Sequence, residues 1–169
     1  MHPDINAKDL EGFTPLHTAV MRDQFDIVAR LLNVGAKVDE PSKYGDRPLN
    51  FVKSRQIAEL LLAHKANING VDKGKLLNTP LHSAAFYGRT EVAELLIERG
   101  ANMNSQDTNG DTPLHRAAFA YSRNSLNTVR LLIEKGANMN LVNYQGKRPV
   151  DMGNNIPIKT LIHLKMRGN

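Results

Sequence analysis

No cysteine occurs in the 169 residues, which excludes disulfides, thiolate zinc sites and cysteine nucleophiles together. Aromatic side chains are scarce, five Phe and four Tyr with no Trp, so any clustering of them carries information. Long apolar runs are also missing. The uncharged apolar stretches fall far short of the ~20 residues needed to span a bilayer, and no membrane helix is expected. The opening MHPDINAKDLEG has no apolar stretch of the secretory kind. A cytoplasmic setting is therefore the default expectation. There is no Gly-rich phosphate loop, no Ser-His-Asp grouping and no metal-ligand spacing. Neither an enzyme nor a protein carrying a cofactor or metal is expected.

What the chain does have is a repeat. TPLH stands at 14–17, 79–82 and 112–115, with the degraded forms RPLN at 47–50 and RPVD at 148–151. Successive motifs start 33, 32, 33 and 36 residues apart, a period that signals a solenoid of stacked helical hairpins. A second landmark follows the first four motifs: Gly35-Ala36, Lys65-Ala66, Gly100-Ala101 and Gly136-Ala137. The motif has a physical reading. Thr14, Thr79 and Thr112 are suited to N-cap a helix, and the Pro after each sits where a missing N–H costs nothing. Leu16, Leu81 and Leu114 then pair with Ala19, Ala84 and Ala117 on one face, so neighbouring short helices can approach closely.

A second helix in each unit carries an apolar stripe at helical spacing: Ile27, Val28, Leu31 and Leu32, then Ile57, Ala58, Leu61 and Leu62, then Val92, Ala93, Leu96 and Ile97, then Val129, Leu132 and Ile133. Gly35, Gly100 and Gly136 fall just past its end, where a left-handed residue belongs. No hairpin can bury its own stripe, so stability must come from stacking.

From Ile5 to Lys165 the chain resembles the ankyrin repeat family, on the strength of three intact TPLH motifs and three intact Gly-Ala turns in phase. The resemblance implies an all-α repeat solenoid: a helix-turn-helix stack with projecting β-turn fingers, forming one domain over 1–169 with units near 5–39, 40–69, 70–104, 105–140 and 141–169. It also implies that partners are gripped by the finger tips and the exposed side of the first helices, on the concave face. His17, His82 and His115 share one phase of the motif and are read as structural, bonding backbone in the adjacent turn.

Irregularities mark where this array is individual. Unit two lacks three residues between its motif and its turn, carries Asn50 in place of the motif His, and has Lys65 in place of Gly. Its first helix or the loop after it must be shortened, and Lys65 is expected to carry left-handed strain. The finger from Gly70 to Asn78 is two residues longer than the others, with Gly74 early and Leu76 and Leu77 near its tip. Leu76 is expected to meet a partner, while Leu77 either does the same or tucks back. Unit four has three extra residues in FAYSRNSLN, a loop expected to carry Tyr121 and Arg123 outward. The chain closes with IPIKTLIHLKMRGN, with Ile158, Leu161 and Ile162 on one helical face and a polar outer surface, as a terminal cap requires. At the other end, HPDIN resembles the tail of a preceding unit.

Mapping the variable surface by phase selects Phe13, Met21, Arg22, Tyr44, Asp46, Leu76, Asn78, Phe86, Tyr87, Asp111, Phe119, Tyr121, Arg123 and Tyr144 as candidate partner-binding residues. Seven of the nine aromatics fall there, as protein-binding hot spots favour; Phe25 and Phe51 are assigned to packing. Phe86 and Phe119 share one phase and could equally pack between neighbouring first helices. Net charge runs −3 over residues 1–40, +4 over 41–80, 0 over 81–140 and +4 over 141–169, with no continuous basic stripe for a nucleic-acid backbone. The leading expectation is a monomeric protein-protein interaction module, a scaffold, adaptor or masking protein. A nucleic-acid-binding repeat protein is the alternative from another class. The seventeen Asn suggest a third, an effector acting in a host cytosol with its activity in a missing domain.

Overall fold

A computed structural model of the chain describes residues 4–71 and 76–168. Gly74 and Lys75 of the long finger lie outside them. Among the described residues, eight α-helices and two short 3-10 turns follow in order: α1 Pro15–Met21, α2 Phe25–Asn33, the turn Pro48–Phe51, α3 Arg55–Ala63, α4 Pro80–Phe86, α5 Thr90–Glu98, α6 Pro113–Phe119, α7 Ser125–Glu134, the turn Pro149–Asp151, and α8 Ile156–Arg167. No strand is present among the described residues. The short elements that begin at a motif proline pack on one another, and α2, α3, α5, α7 and α8 form a second layer.

The motif works as its residues demand. Thr14, Thr79 and Thr112 cap α1, α4 and α6, each hydroxyl accepting from the N–H of the motif His. Leu16, Leu81 and Leu114 are wholly buried and Ala19, Ala84 and Ala117 nearly so; each buried Leu contributes roughly 2 kcal/mol. The three histidines bridge neighbouring units. In His82 the Nδ1 accepts from Thr79 N–H at 3.1 Å while Nε2 donates to the Asp111 carbonyl at 2.9 Å. His17 reaches Asp46 at 3.1 Å and His115 reaches Lys147 at 2.9 Å in the same manner. One nitrogen accepts and the other donates, so each ring works as the neutral imidazole.

The second helices end as predicted. Ala36 N–H bonds Leu31 O at 2.9 Å and Gly35 N–H bonds Leu32 O at 3.1 Å, the paired bonds of a Schellman cap. Gly35, Gly100 and Gly136 have φ of +92°, +90° and +96°, and Lys65 follows at +66°. A Cβ at any of the three glycines would meet nothing within 4 Å, so only the backbone angle selects glycine there.

Unit two is shortened where expected: its first helix shrinks to the 3-10 turn Pro48–Phe51. Unit five is shortened in the same way, at Pro149–Asp151, which its motif spacing does not reveal. In both turns the motif geometry survives without the His: Arg47 N–H donates to Asn50 Oδ1 at 3.0 Å and Arg148 N–H to Asp151 Oδ2 at 2.9 Å. The last helix buries Ile158 and Ile162.

The fingers are tight turns held by side-chain acceptors. Asp9, Asp107 and Asn143 each accept two backbone N–H groups of their own finger, and Ser42 Oγ accepts from Tyr44 N–H. Adjacent fingers are zipped by single backbone bonds: Lys43 to Glu11 at 2.9 Å, Thr108 to Leu76 at 3.0 Å and Tyr144 to Asn109 at 3.0 Å. Gly110 permits the last of these contacts, since a Cβ on it would come within 2.8 Å of Tyr144 N.

Candidate functional site

The contraction of unit two leaves room that a full first helix would fill. A cleft of about 440 Å³ opens between the turn Pro48–Phe51 and α4. Unit two contributes Tyr44 and Asp46 from its finger and Asn50 and Phe51 from the turn. Leu76 and Asn78 enter from the long finger, His82, Ser83 and Phe86 from α4, Tyr87 from the C-cap of α4, and Arg116 from α6 completes the lining.

Each rim aromatic is held by a specific contact. The Tyr44 hydroxyl donates to a Glu11 carboxylate oxygen, and that bond raises the Tyr44 pKa above its ordinary value. Phe86 and Tyr87 meet edge to face with centroids 5.2 Å apart, a favoured aromatic geometry. The Arg89 guanidinium lies 4.5 Å from the Tyr87 ring centre and donates to Val52 O at 2.8 Å, so it anchors the Tyr87 rim to the end of the short turn. Burial lowers the Arg89 pKa from its ordinary value. On the floor, Arg116 Nε donates to Asp107 Oδ2 at 2.7 Å, and the Asp107 side chain is fully shielded from solvent. Asn78 Oδ1 is buried and has no hydrogen-bond partner among the described residues.

Six of the sequence-predicted residues converge on this cleft: Tyr44, Asp46, Leu76, Asn78, Phe86 and Tyr87. Leu76 and Leu77 are both exposed, and Leu77 holds a left-handed backbone at φ +50°. The other candidates lie apart. Met21 is half-buried and Arg22 exposed at the end of α1. Phe119 and Tyr121 form their own edge-on pair at 6.3 Å, with Arg123 exposed beside them in the lengthened loop. Tyr144 stands 74% exposed on the last finger.

Three assignments are corrected. Asp111 is not a surface contact: it is 5% exposed and accepts Asn143 Nδ2 at 2.8 Å, because the next finger draws its carboxylate inward. Phe13 is half-buried rather than displayed, its ring 5.5 Å from His17 and 5.7 Å from Phe51. Phe25, assigned to packing, is 43% exposed. Residues that phase alone missed are Asn50, Phe51 and Ser83 on the cleft wall and Arg116 beneath it. The one available signal was the three-residue deficit of unit two, which uncovers α4 and the residues behind it.

The sequence pattern of ankyrin repeats, in three copies, matches residues 1–72 and 53–143. Among curated relatives, the ankyrin repeat protein FPV230 of fowlpox virus is 34% identical over 114 residues, covering 66% of this chain and 60% of that protein. Human cyclin-dependent kinase inhibitor 2A is 36% identical over 104 residues, 60% of this chain and 66% of that protein. A zebrafish protein carrying a palmitoyltransferase name, ZDHHC13, is 33% identical over 123 residues, 70% of this chain but 19% of its own length. The chain thus spans from about a fifth to under two thirds of these relatives.

Proposed function

Since the chain belongs to the ankyrin repeat family, we propose that it is a protein-interaction module that grips a partner protein at the cleft between the turn Pro48–Phe51 and α4. Tyr44, Phe86 and Tyr87 are 52%, 37% and 58% exposed and share this one cleft with Leu76. That is the observation that carries the reading: a recess with an aromatic rim supplies the desolvated anchor point that protein interfaces concentrate their energy in. The family gives the reading its class, and relatives named as kinase inhibitors act on another protein. The role is that of a scaffold, adaptor or masking protein, and the setting we infer is the cytosol.

Affinity capture from lysate, untreated and nuclease-treated, tests this, with wild-type protein beside a Tyr44→Ala/Phe86→Ala variant. The partner is expected to be retained by wild type and lost by the variant, with helical content unchanged by circular dichroism. Undiminished capture by the variant would move the site elsewhere on the stack. Capture that disappears on nuclease treatment would instead favour nucleic acid.

A further inference from the structure

Polar side chains of the cleft are largely committed to partners within the chain. The Tyr44 hydroxyl donates to Glu11, and Asn50 Oδ1 accepts from Arg47 N–H at 3.0 Å. His82 uses both ring nitrogens, and Arg116 donates to Asp107. Asn78 Oδ1 stands apart: it is buried, and no described residue donates to it. Buried acceptors are almost always paired, so this one calls for an occupant that brings a donor. Asn78 as a whole is half-buried, and the amide torsion of asparagine is broad, so a small rotation turns Oδ1 toward a group seated in the cleft.

The walls restrict what can carry that donor. Phe51, Leu76, Phe86 and Tyr87 line the recess, and its volume of about 440 Å³ falls within the roughly 300–1,000 Å³ of sites that enclose a single small molecule. Its charged lining residues are one acid, Asp46, and one base, Arg116, so the lining has no net charge for an ion to answer. The Arg89 guanidinium already lies 4.5 Å from the Tyr87 ring centre, the seat that a partner lysine or arginine would seek. Phenylalanine would leave Asn78 Oδ1 unpaired, and a tyrosine hydroxyl would bring lone pairs of its own into the recess. Indole combines a large apolar ring with one N–H donor and no acceptor.

We propose that the cleft seats one tryptophan side chain of the partner protein, its indole N–H donating to Asn78 Oδ1; this rests on the cleft being the partner site and names the side chain that anchors there. Phe51 and Phe86 give the ring apolar walls to pack against, and tryptophan is among the residues in which interface energy concentrates.

N-acetyltryptophanamide is the probe that tests this. The chain has no Trp, so indole emission reports the probe alone, and titration with protein to millimolar concentration is expected to shift it. The benzothiophene analogue, with sulfur in place of the ring N–H, keeps the size and loses the donor. It should compete about tenfold less well, and N-acetylphenylalaninamide no better, a comparison that needs no variant. Asn78→Ala should bring the indole and benzothiophene probes to equal affinity, while Phe86→Ala should weaken both. An indole probe that does not bind, one that binds no better than its benzothiophene analogue, a preference that survives Asn78→Ala, or binding unchanged by Phe86→Ala would each overturn the proposal. If the partner is still captured through Tyr44 and Phe86 alongside any of those results, the cleft stands as the partner site and only the tryptophan falls. Capture unaffected by the Tyr44→Ala/Phe86→Ala variant would remove both.

Discussion

His82 Nε2 lies 2.9 Å from the carbonyl oxygen of Asp111, 29 residues further along the chain, and this one bond couples the start of α4 to the following finger. The other ring nitrogen accepts from Thr79 N–H, so a single side chain spans two units. His82→Ala would leave the buried Thr79 N–H unpaired and open a void beside it. Each such unpaired group costs about 1–3 kcal/mol, and a total loss of about 3 kcal/mol is expected. Urea unfolding measures it; a shift below about 1 kcal/mol would mean that the bridge is not a principal tie between units.

The same rings make stability depend on pH. Burial pushes the His17 and His82 imidazoles below the usual histidine value of 6.5, opposed in part by their bonds to the Asp46 and Asp111 carbonyls. In the unfolded chain both return to that ordinary value. Between the folded and unfolded pKa the unfolded chain binds more protons, so stability rises with pH there. The contribution is complete above the unfolded value and is lost as pH falls below it. The urea midpoint should therefore drop on acidification from about 7.5 to about 5.5, before most carboxylates titrate. His82→Asn should flatten that slope, and an unchanged slope would contradict the neutral-ring account.

How far the sequence reveals this fold depends on the range of the interaction. Positions fixed by local chemistry are legible: the left-handed φ of Gly35 and Lys65 follows from the turn after each helix, and Ile158 and Ile162 are buried as their spacing requires. Positions fixed by a neighbour about thirty residues away are not. Asp111 has the phase of an exposed finger residue, yet Asn143, 32 residues on, holds it inside. The cleft belongs to the second kind. The missing residues of unit two announce a contraction, but the wall thereby exposed is made by Ser83 and Phe86 of another unit.

Lys65 offers a test of strain by improvement. It holds φ +66° in a cap whose hydrogen bonds, Lys65 N–H to Leu62 O at 2.9 Å and Ala66 N–H to Leu61 O at 3.0 Å, match those of the glycine turns. A non-glycine residue in this region costs about 1–2 kcal/mol, while glycine adds unfolded-chain entropy that returns part of it. Lys65→Gly is expected to stabilise by about 1 kcal/mol. The mirror substitution, Gly100→Lys, should destabilise by a similar amount. Denaturant midpoints decide both, and a destabilising Lys65→Gly would show that the Lys65 side chain contributes more than its backbone costs.

Arg116 underlies the cleft and pairs with the shielded Asp107, so its loss tests what holds the finger. Asp107, fully shielded, accepts from Asn109 N–H at 2.8 Å and Asp111 N–H at 3.0 Å, and Arg116 supplies its countercharge. In Arg116→Met the carboxylate keeps its two backbone donors but loses its charged hydrogen-bond donor, a change worth about 1.5–3 kcal/mol. Asp107→Asn on the same background removes the stranded charge, so the double variant should recover part of the loss. A double-mutant cycle by thermal unfolding would show coupling above about 1 kcal/mol. Strict additivity would mean that the pair is solvated in solution and that the finger is held by its backbone bonds alone.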